Sequence, residues 1–488
     1  MSDAALQPGV SSLHPREAVG WNLLRALDNV SAATWFLVLA TPICLFLAFA
    51  IPPAQGLDER NHFLRVYQVS GGTILPEYSG KHVGGIVPSC GVAYLDHLSS
   101  VAGQPGALQW RTFFQQPAGC DPSATRFVAF ENTAVYSPVS YVPLALGVGV
   151  ARLAHAPVPL LFSIGRLFGA FAYIGLVYLA LRVATSGRNV LLVVALMPMA
   201  LTSASEYSAD TMTLALALLL VAGIIRCRQD PGAARWAFAL AGGAAIALAL
   251  TKSTYAVLAV ALLAVPSSFL ASRAASMAVK VGVVAAAGLA ALWWTHLVGY
   301  VALAAYSYPA GVDPSAQIHY ILAHPLSYAK LVWMTLVGST TSDGTWPGFV
   351  SWVGFYRNLG AGSPEPPVPV VIFAFVVLVQ AYRDAVVTPA AGRLRAAAAL
   401  AWPAALIVVN SVLIMTALYV TDATVGATEY WRLHGRYFLP LAAMPAIAVP
   451  RTPDGGGKAR SSSLAYAACM SALLAFLVAK VVLFFYVF

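Results

Sequence analysis

Charge is what this sequence has least of. Asp, Glu, Lys and Arg make up 10% of its 488 residues, where soluble domains carry about 25%. So few ionised groups cannot cover a water-facing surface, which excludes a chain of ordinary soluble domains. Acids are the scarcer sign, at 19 against 28 Lys and Arg. The resulting excess of +9 does not point to nucleic acid, because the basic residues sit in short clusters between apolar runs and there orient a membrane protein. Zinc-ligand spacings, a phosphate-binding glycine loop and a Gly-x-Ser-x-Gly elbow are all missing. Cysteine is limited to five. Cys44 and Cys469 fall in apolar runs and Cys227 in a basic loop, while Cys90 and Cys120 share one long polar loop. In an oxidising compartment those two can pair; otherwise they remain free thiols.

Apolar residues fill the space that charge leaves: 59% of the chain, with a mean hydropathy of +0.75. A membrane-spanning helix needs roughly 20 apolar residues. Runs at 33–51, 159–181, 189–205, 211–225, 234–251, 254–271, 279–303, 367–382, 396–420, 436–450 and 462–486 qualify, about 11 spans in all. The first is not followed by a small-residue cleavage site and reads as a retained span rather than a signal peptide. The loops at 182–188, 226–235, 272–280, 383–395 and 451–460 are short and basic and are expected in the cytoplasm. The opposite loops hold most of the acids. Counting 138–153 as a further span would invert every later loop, so it and 325–339 are expected to be amphipathic or re-entrant helices on the outer face. The expected fold is an all-α polytopic membrane protein. A cytoplasmic segment, 1–32, precedes a membrane domain, 33–450, with outer loops at 52–158 and 304–366. A linker, 451–461, then leads to a last helix in 462–488.

Polar residues that recur at one end of the spans are the candidates for chemistry. After Pro52-Pro53 the pattern turns helical, and Asp58, His62 and Arg65 fall on one helix face. An acid beside a cation at a membrane surface can deprotonate a hydroxyl while the cation meets a phosphate. Equally, Asp58 is placed to cap the helix and Glu59 to face its positive end. Glu206 and Asp210 lie in a short loop at the same face, where Asp210 is also placed as a cap. Lys252 sits alone in a tight turn between two apolar runs, either snorkelling or binding phosphate. Arg432, His434 and Arg436 open the run at 436–450. Two arginines on the outer side run against the positive-inside trend, and an anionic head group or an interfacial anchor would account for them. Trp346, Trp352, Tyr356 and Arg357 add aromatic surface to the 304–366 loop. The spans look nearly free of mid-membrane charge, Lys480 being the main exception.

The segment from Pro52 to Tyr67, with Asp58, Glu59, His62, Arg65 and Tyr67, resembles a bacterial membrane-protein family catalogued as domain of unknown function 2142. The stretch Tyr136-Ser137-Pro138-Val139-Ser140-Tyr141-Val142-Pro143 and the motif Gly435-Arg436-Tyr437-Phe438-Leu439-Pro440 are similar to further parts of it. The family looks like part of the GT-C glycosyltransferases. That implies a polyprenyl-phosphate sugar donor, a glycan, lipid or protein acceptor, and a site on the periplasmic face of the bacterial inner membrane. Carried over, the resemblance implies Asp58, Glu59 and Asp210 as catalytic acids. His62, Arg65, Lys252, Arg432, His434 and Arg436 become donor or phosphate partners, and Asp58 with Asp210 could share a divalent metal ion. A flippase for a lipid-linked sugar, which would need ionisable residues deep in the spans, and a non-catalytic subunit of an envelope-assembly complex are the other two readings.

Overall fold

A computed structural model describes residues 26–56, 58–80, 82–100, 110–115, 119, 121, 123–267, 269–305, 311–337, 367–386, 393–430, 433–448 and 463–487. The helices of ten residues or more, with the two short interior ones, are numbered along the chain. They are α1 (Ala32–Ala50), α2 (Glu59–Ser70), α3 (Ser89–Ser100), α4 (Val142–Leu153), α5 (Val158–Val183), α6 (Arg188–Ala195), α7 (Pro198–Ala204), α8 (Asp210–Gln229) and α9 (Ala234–Thr251). There follow α10 (Arg273–Ala305), α11 (Pro314–Ala323), α12 (Pro325–Val337), α13 (Val368–Val386), α14 (Arg393–Asp422) and α15 (Ser463–Val482). Among the described residues, eight helices are long and apolar enough to cross a bilayer: α1, α5, α8, α9, α10, α13, α14 and α15. At 1.5 Å per residue, the 19 residues of α1 cover about 28 Å, close to the ~30 Å hydrocarbon core. The chain is an all-α polytopic membrane protein. Exposed Leu289, Leu292, Val376 and Val408 on its spanning helices are the expected lipid-facing surface.

Three of the eleven apolar runs are not continuous helices. The run at 189–205 divides into α6 and α7 because Pro198 has no N–H to continue the ladder. The run at 254–271 is a tighter 3₁₀ coil, Ser253–Ala264, stopped before Pro266. The run at 436–450 becomes three short turns, Gly435–Phe438, Leu439–Ala442 and Met444–Ala448, the last two carrying Pro440 and Pro445 near their starts. Broken backbone survives at this depth only where protein walls it off from lipid. Every residue from Val190 to Leu201 is buried, as are most of those from Leu439 to Ala448.

The loop between α1 and α5 folds as a unit with its own apolar core, including Phe63, Val66, Val87, Leu95, Phe130, Tyr141 and Val148. It contains a three-stranded antiparallel sheet that the sequence reading does not anticipate: β1 (Glu77–Ser79), β2 (His82–Pro88) and β3 (Thr125–Ala129), in the order β1-β2-β3. Two glycines let β2 lie close to its neighbours. A Cβ on Gly84 would sit 1.9 Å from the Val128 carbonyl oxygen, and one on Gly85 would sit 2.6 Å from the Gln68 side chain on α2. The 138–153 run is the short helix α4, packed along α5 as an accessory helix rather than a full span. α12 occupies most of the 325–339 run. Trp346, Trp352, Tyr356, Arg357, most of the 304–366 loop and the 451–461 linker lie outside the described residues.

Candidate functional site

Asp58 and Glu59 are neighbours in sequence and opposites in space. Asp58 is in the left-handed conformation, with φ of 56°, and its side chain makes no capping hydrogen bond. That conformation is costly for most non-glycine residues, with Asp and Asn the usual exceptions. The carboxylate is instead half-exposed, at 49%, and turned to Arg436, whose Nη2 lies 3.6 Å from Asp58 Oδ2. The capping role that the sequence allows for Asp58 is therefore not the one it takes.

Glu59 turns inward and is fully buried. Arg166, in the spanning helix α5, grips it with two parallel hydrogen bonds, Nε to Oε1 at 2.8 Å and Nη2 to Oε2 at 2.7 Å. The Tyr207 and Gly56 amides donate to the same carboxylate at 3.1 and 3.3 Å. The remaining guanidinium N–H groups reach the carbonyls of Ala48, Ile51 and Pro52, at 3.0, 2.6 and 3.2 Å. Glu59, taken from the resemblance as catalytic, has no open lone pair facing a substrate; it holds the end of α1 to α2 and α5. Arg166 corrects the view of the spans as nearly free of charge. The signal was present, since a cation inside an apolar run demands a partner.

Asp210 begins α8, but Ser208 Oγ, at 3.1 Å, accepts from its amide, and no cap bond comes from its own carboxylate. Those oxygens face two cations. Lys252 Nζ pairs with Oδ1, and Arg436 Nε lies 3.2 Å from Oδ2. Lys252 does not snorkel to water: its ammonium sits 4.8 Å from the centre of the Tyr437 ring and 5.4 Å from that of Tyr136. Burial alone would lower the Lys252 pKa, but Asp210, aided by Tyr136 and Tyr437, outweighs it and the net shift is upward. Arg436 lies 5.3 Å over the Tyr437 ring, a cation–π contact that also fixes its plane.

The scaffold behind these groups ties distant segments together. Ser140 Oγ donates to the Thr251 carbonyl at 3.1 Å, Tyr255 Oη to the Tyr437 carbonyl at 2.8 Å, and Asn410 Nδ2 to the Thr254 carbonyl at 2.6 Å. These bonds seat the Lys252 turn between the Pro138–Ser140 turn, α14 and the Arg436 segment.

His62 stacks on Tyr136 at 6.0 Å, and its Nδ1 shares a 2.7 Å hydrogen bond with Tyr141 Oη. Burial pushes its pKa down to about 4, against the opposing pull of Asp58. At neutral pH it is an uncharged imidazole in the site, not the cation that phosphate binding suggests. Arg65 is the other departure. It is fully buried and bonded to Gln68 Oε1 and to the Ile74 carbonyl, the latter at 2.6 Å, with the Tyr136 carbonyl 3.5 Å away, so its guanidinium braces the loop beside the cluster. His434 lies edge-on to Tyr437 at 5.8 Å, beside the site. Arg432 lies outside the described residues.

Glu206, not assigned a role from sequence, is buried behind the cluster. Burial, and then the Glu59 charge, push its pKa well upward, against the pull of Arg166 and Arg436. It packs so close to Gly56 that a Cβ there would meet its Oε2 at 2.6 Å.

The donor set suits a shared divalent ion poorly. Both Asp210 oxygens already face cations and Asp58 faces Arg436, so a metal ion would meet two positive charges at its binding carboxylates. No group of three metal-ligating side chains occurs among the described residues. Cys90 is disulfide-bonded, Cys44, Cys227 and Cys469 are free, and Cys120 lies outside the described residues.

A family model described as "Predicted membrane protein (DUF2142)" matches residues 43–444. The chain belongs to the DUF2142 family. The match takes in every element of the site, from Asp58 to Arg436. No curated protein and no solved structure matches the chain. In this DUF2142 protein the stretch from Tyr136 to Tyr141 supplies the ring under Lys252, the ring under His62 and the hydroxyl on His62.

Proposed function

We propose that this DUF2142 protein is a membrane glycosyltransferase of the GT-C type. It transfers a sugar from a polyprenyl-phosphate donor to a glycan, lipid or protein acceptor at the periplasmic face of the bacterial inner membrane. The observation that carries this reading is the contrast at the site. A half-exposed, uncapped Asp58 stands at the edge of a buried Lys252–Asp210–Arg436 cluster walled by Tyr136 and Tyr437.

In the proposed reaction the acceptor hydroxyl gives its proton to Asp58. Its oxygen attacks the anomeric carbon as the bond from that carbon to the phosphate oxygen breaks. The bonding pair leaves with the phosphate, whose extra negative charge develops beside Arg436 and Lys252. A single displacement inverts the anomeric centre. Arg436 is shared between two carboxylates, and its 3.6 Å contact with half-exposed Asp58 is the weaker one. Phosphate binding would displace Asp58 from Arg436 toward the acceptor, coupling donor binding to release of the base.

The test is transfer of radiolabelled sugar from polyprenyl phosphate to cell-envelope acceptors in membranes containing Asp58→Ala or Arg436→Ala protein. Loss of a positioned base slows a reaction by about 10²–10⁴-fold, and loss of a charge-stabilising donor by about 10²–10³-fold. Full transfer by both variants, at normal protein levels, would rule the reading out.

A further inference from the structure

We propose that a second site, on the back of α2, holds one membrane phospholipid with an anionic head group. This goes beyond the transferase reading and does not rest on it. A cleft of about 370 Å³ opens between α2, β2, α3 and the turn joining α4 to α5. Phe63, Tyr67, Val92, Val158 and Leu161 give it apolar walls, and Arg152 lies among them. Pockets of this size hold a small ligand or one alkyl chain. None of Asp58, His62, Asp210, Lys252 and Arg436 lines it, so it is separate from the cation cluster.

Arg152 is set for an anion. One of its nitrogens, Nη1, donates to Ser70 Oγ at 2.9 Å and to the Tyr67 carbonyl at 3.3 Å, and the guanidinium lies 4.4 Å over the Tyr67 ring. Those contacts fix its plane. Among the described residues no carboxylate pairs with it, and Nε and Nη2 keep their N–H groups available. A planar fork held in this way suits a phosphate diester.

The depth of the cleft selects a lipid over a free anion. α5 ends at Val183, next to exposed Arg182, which marks one head-group layer. Twenty residues back at 1.5 Å each, about 30 Å, reach Ser163 and the other edge of the hydrocarbon. Leu161 and Val158 lie about 3–8 Å beyond that edge, within the head-group layer. The cleft thus lies at the level of lipid head groups, with Leu161, about 3 Å from the hydrocarbon edge, nearest to the start of an acyl chain. The exposed stripe Leu146, Val150 and Leu153 on α4, with Leu160 on α5, gives the neighbouring surface the same lipid-facing character.

The test uses the full-length protein, delipidated in detergent. It is titrated with phosphatidylglycerol or with phosphatidylcholine of identical chains, and retained lipid is counted by native mass spectrometry. One basic side chain at a lipid phosphate favours the anionic lipid by about fivefold. Arg152→Gln should abolish that preference and Arg152→Lys should keep most of it. Gly91→Phe should block retention itself by filling the cleft, since Gly91 lines it and a Cβ there meets nothing nearer than Val158, in ordinary contact at 4.0 Å. Equal retention of the two lipids by the unaltered protein would overturn the proposal, and that arm needs no variant. Unchanged retention in Arg152→Gln and Gly91→Phe would overturn it too. So would displacement of phosphatidylglycerol by inorganic phosphate, which would show a bare anion site. One-for-one displacement by polyprenyl phosphate would assign the cleft to a lipid-linked donor instead.

Discussion

Asp58 and Glu59 make the same chemical group available at adjacent positions, and exchanging each for its amide should separate stability from activity. Glu59→Gln removes the charge that balances fully buried Arg166. The guanidinium keeps its three carbonyls but loses a bidentate carboxylate partner, and a Gln can reproduce only one of those two acceptor contacts. Removing one member of a buried ion pair costs about 3–5 kcal/mol. A large domain loses about 2–4 °C of melting temperature per kcal/mol, so the detergent-solubilised variant should melt roughly 6–20 °C lower. Asp58→Asn is the opposite case. Asn tolerates the left-handed backbone as well as Asp does, and the 3.6 Å contact with Arg436 involves a carboxylate that is 49% exposed, worth about 0–1 kcal/mol at most. Its melting temperature should stay within about 3 °C of the parent's, while sugar transfer falls by about 10²–10⁴-fold. Glu59→Gln that remains folded at low temperature should keep transferring at a rate within about tenfold of the parent, since it contributes no general-base step of the kind that costs 10²–10⁴. Heat-step fluorescence size-exclusion gives the melting temperatures from small amounts of membrane. If Glu59→Gln melts with the parent, or if Asp58→Asn destabilises as much as Glu59→Gln, the division of labour between the two acids is refuted.

Two further outcomes follow from particular groups. His62 has a folded pKa of about 4, below its ordinary value of 6.5. A depressed histidine contributes stability above pH 6.5 that is lost as pH falls through 4, so melting temperature should drop across that window and His62→Gln should flatten the drop; an unchanged profile in the variant would remove His62 as its cause. Cysteine labelling with an impermeant reagent in intact cells should reach a probe at exposed Asp121 and not one at Gly456, and the reverse pattern would invert the proposed orientation.

Much of the site was legible because its residues stand where a membrane protein does not place them without cause. Lys252 alone in a turn and Arg436 against the charge trend both end on Asp210. Asp58 was legible as important but not by direction. One residue separates it from Glu59, and only the left-handed turn at Asp58 sends one carboxylate to the cluster and the other into the core. Arg65 misled because a shared face does not say where a long side chain ends: it lies one turn beyond His62 in the regular helix, and its guanidinium is taken up by Gln68 Oε1 and the Ile74 carbonyl. Hydropathy windows averaged over Pro198, Pro266, Pro440 and Pro445, so three interior broken segments read as spans. The sheet escaped notice because β2 is seven residues long with two glycines at its centre, which weakens the alternation that marks a strand. The DUF2142 match fixes the family and leaves the chemistry to the geometry.

The Arg166–Glu59 pair has a mechanical consequence. It joins the last carbonyls of α1, the first turn of α2 and the first half of α5 at one buried point. The roof over the site is therefore riveted to the membrane bundle beside Asp58 and cannot swing open there as a lid without exposing a bare charge to the core. The backbone amides of Ile51, Gln55 and Glu59, beside the pair, should then be among the slowest in the protein to exchange with deuterium.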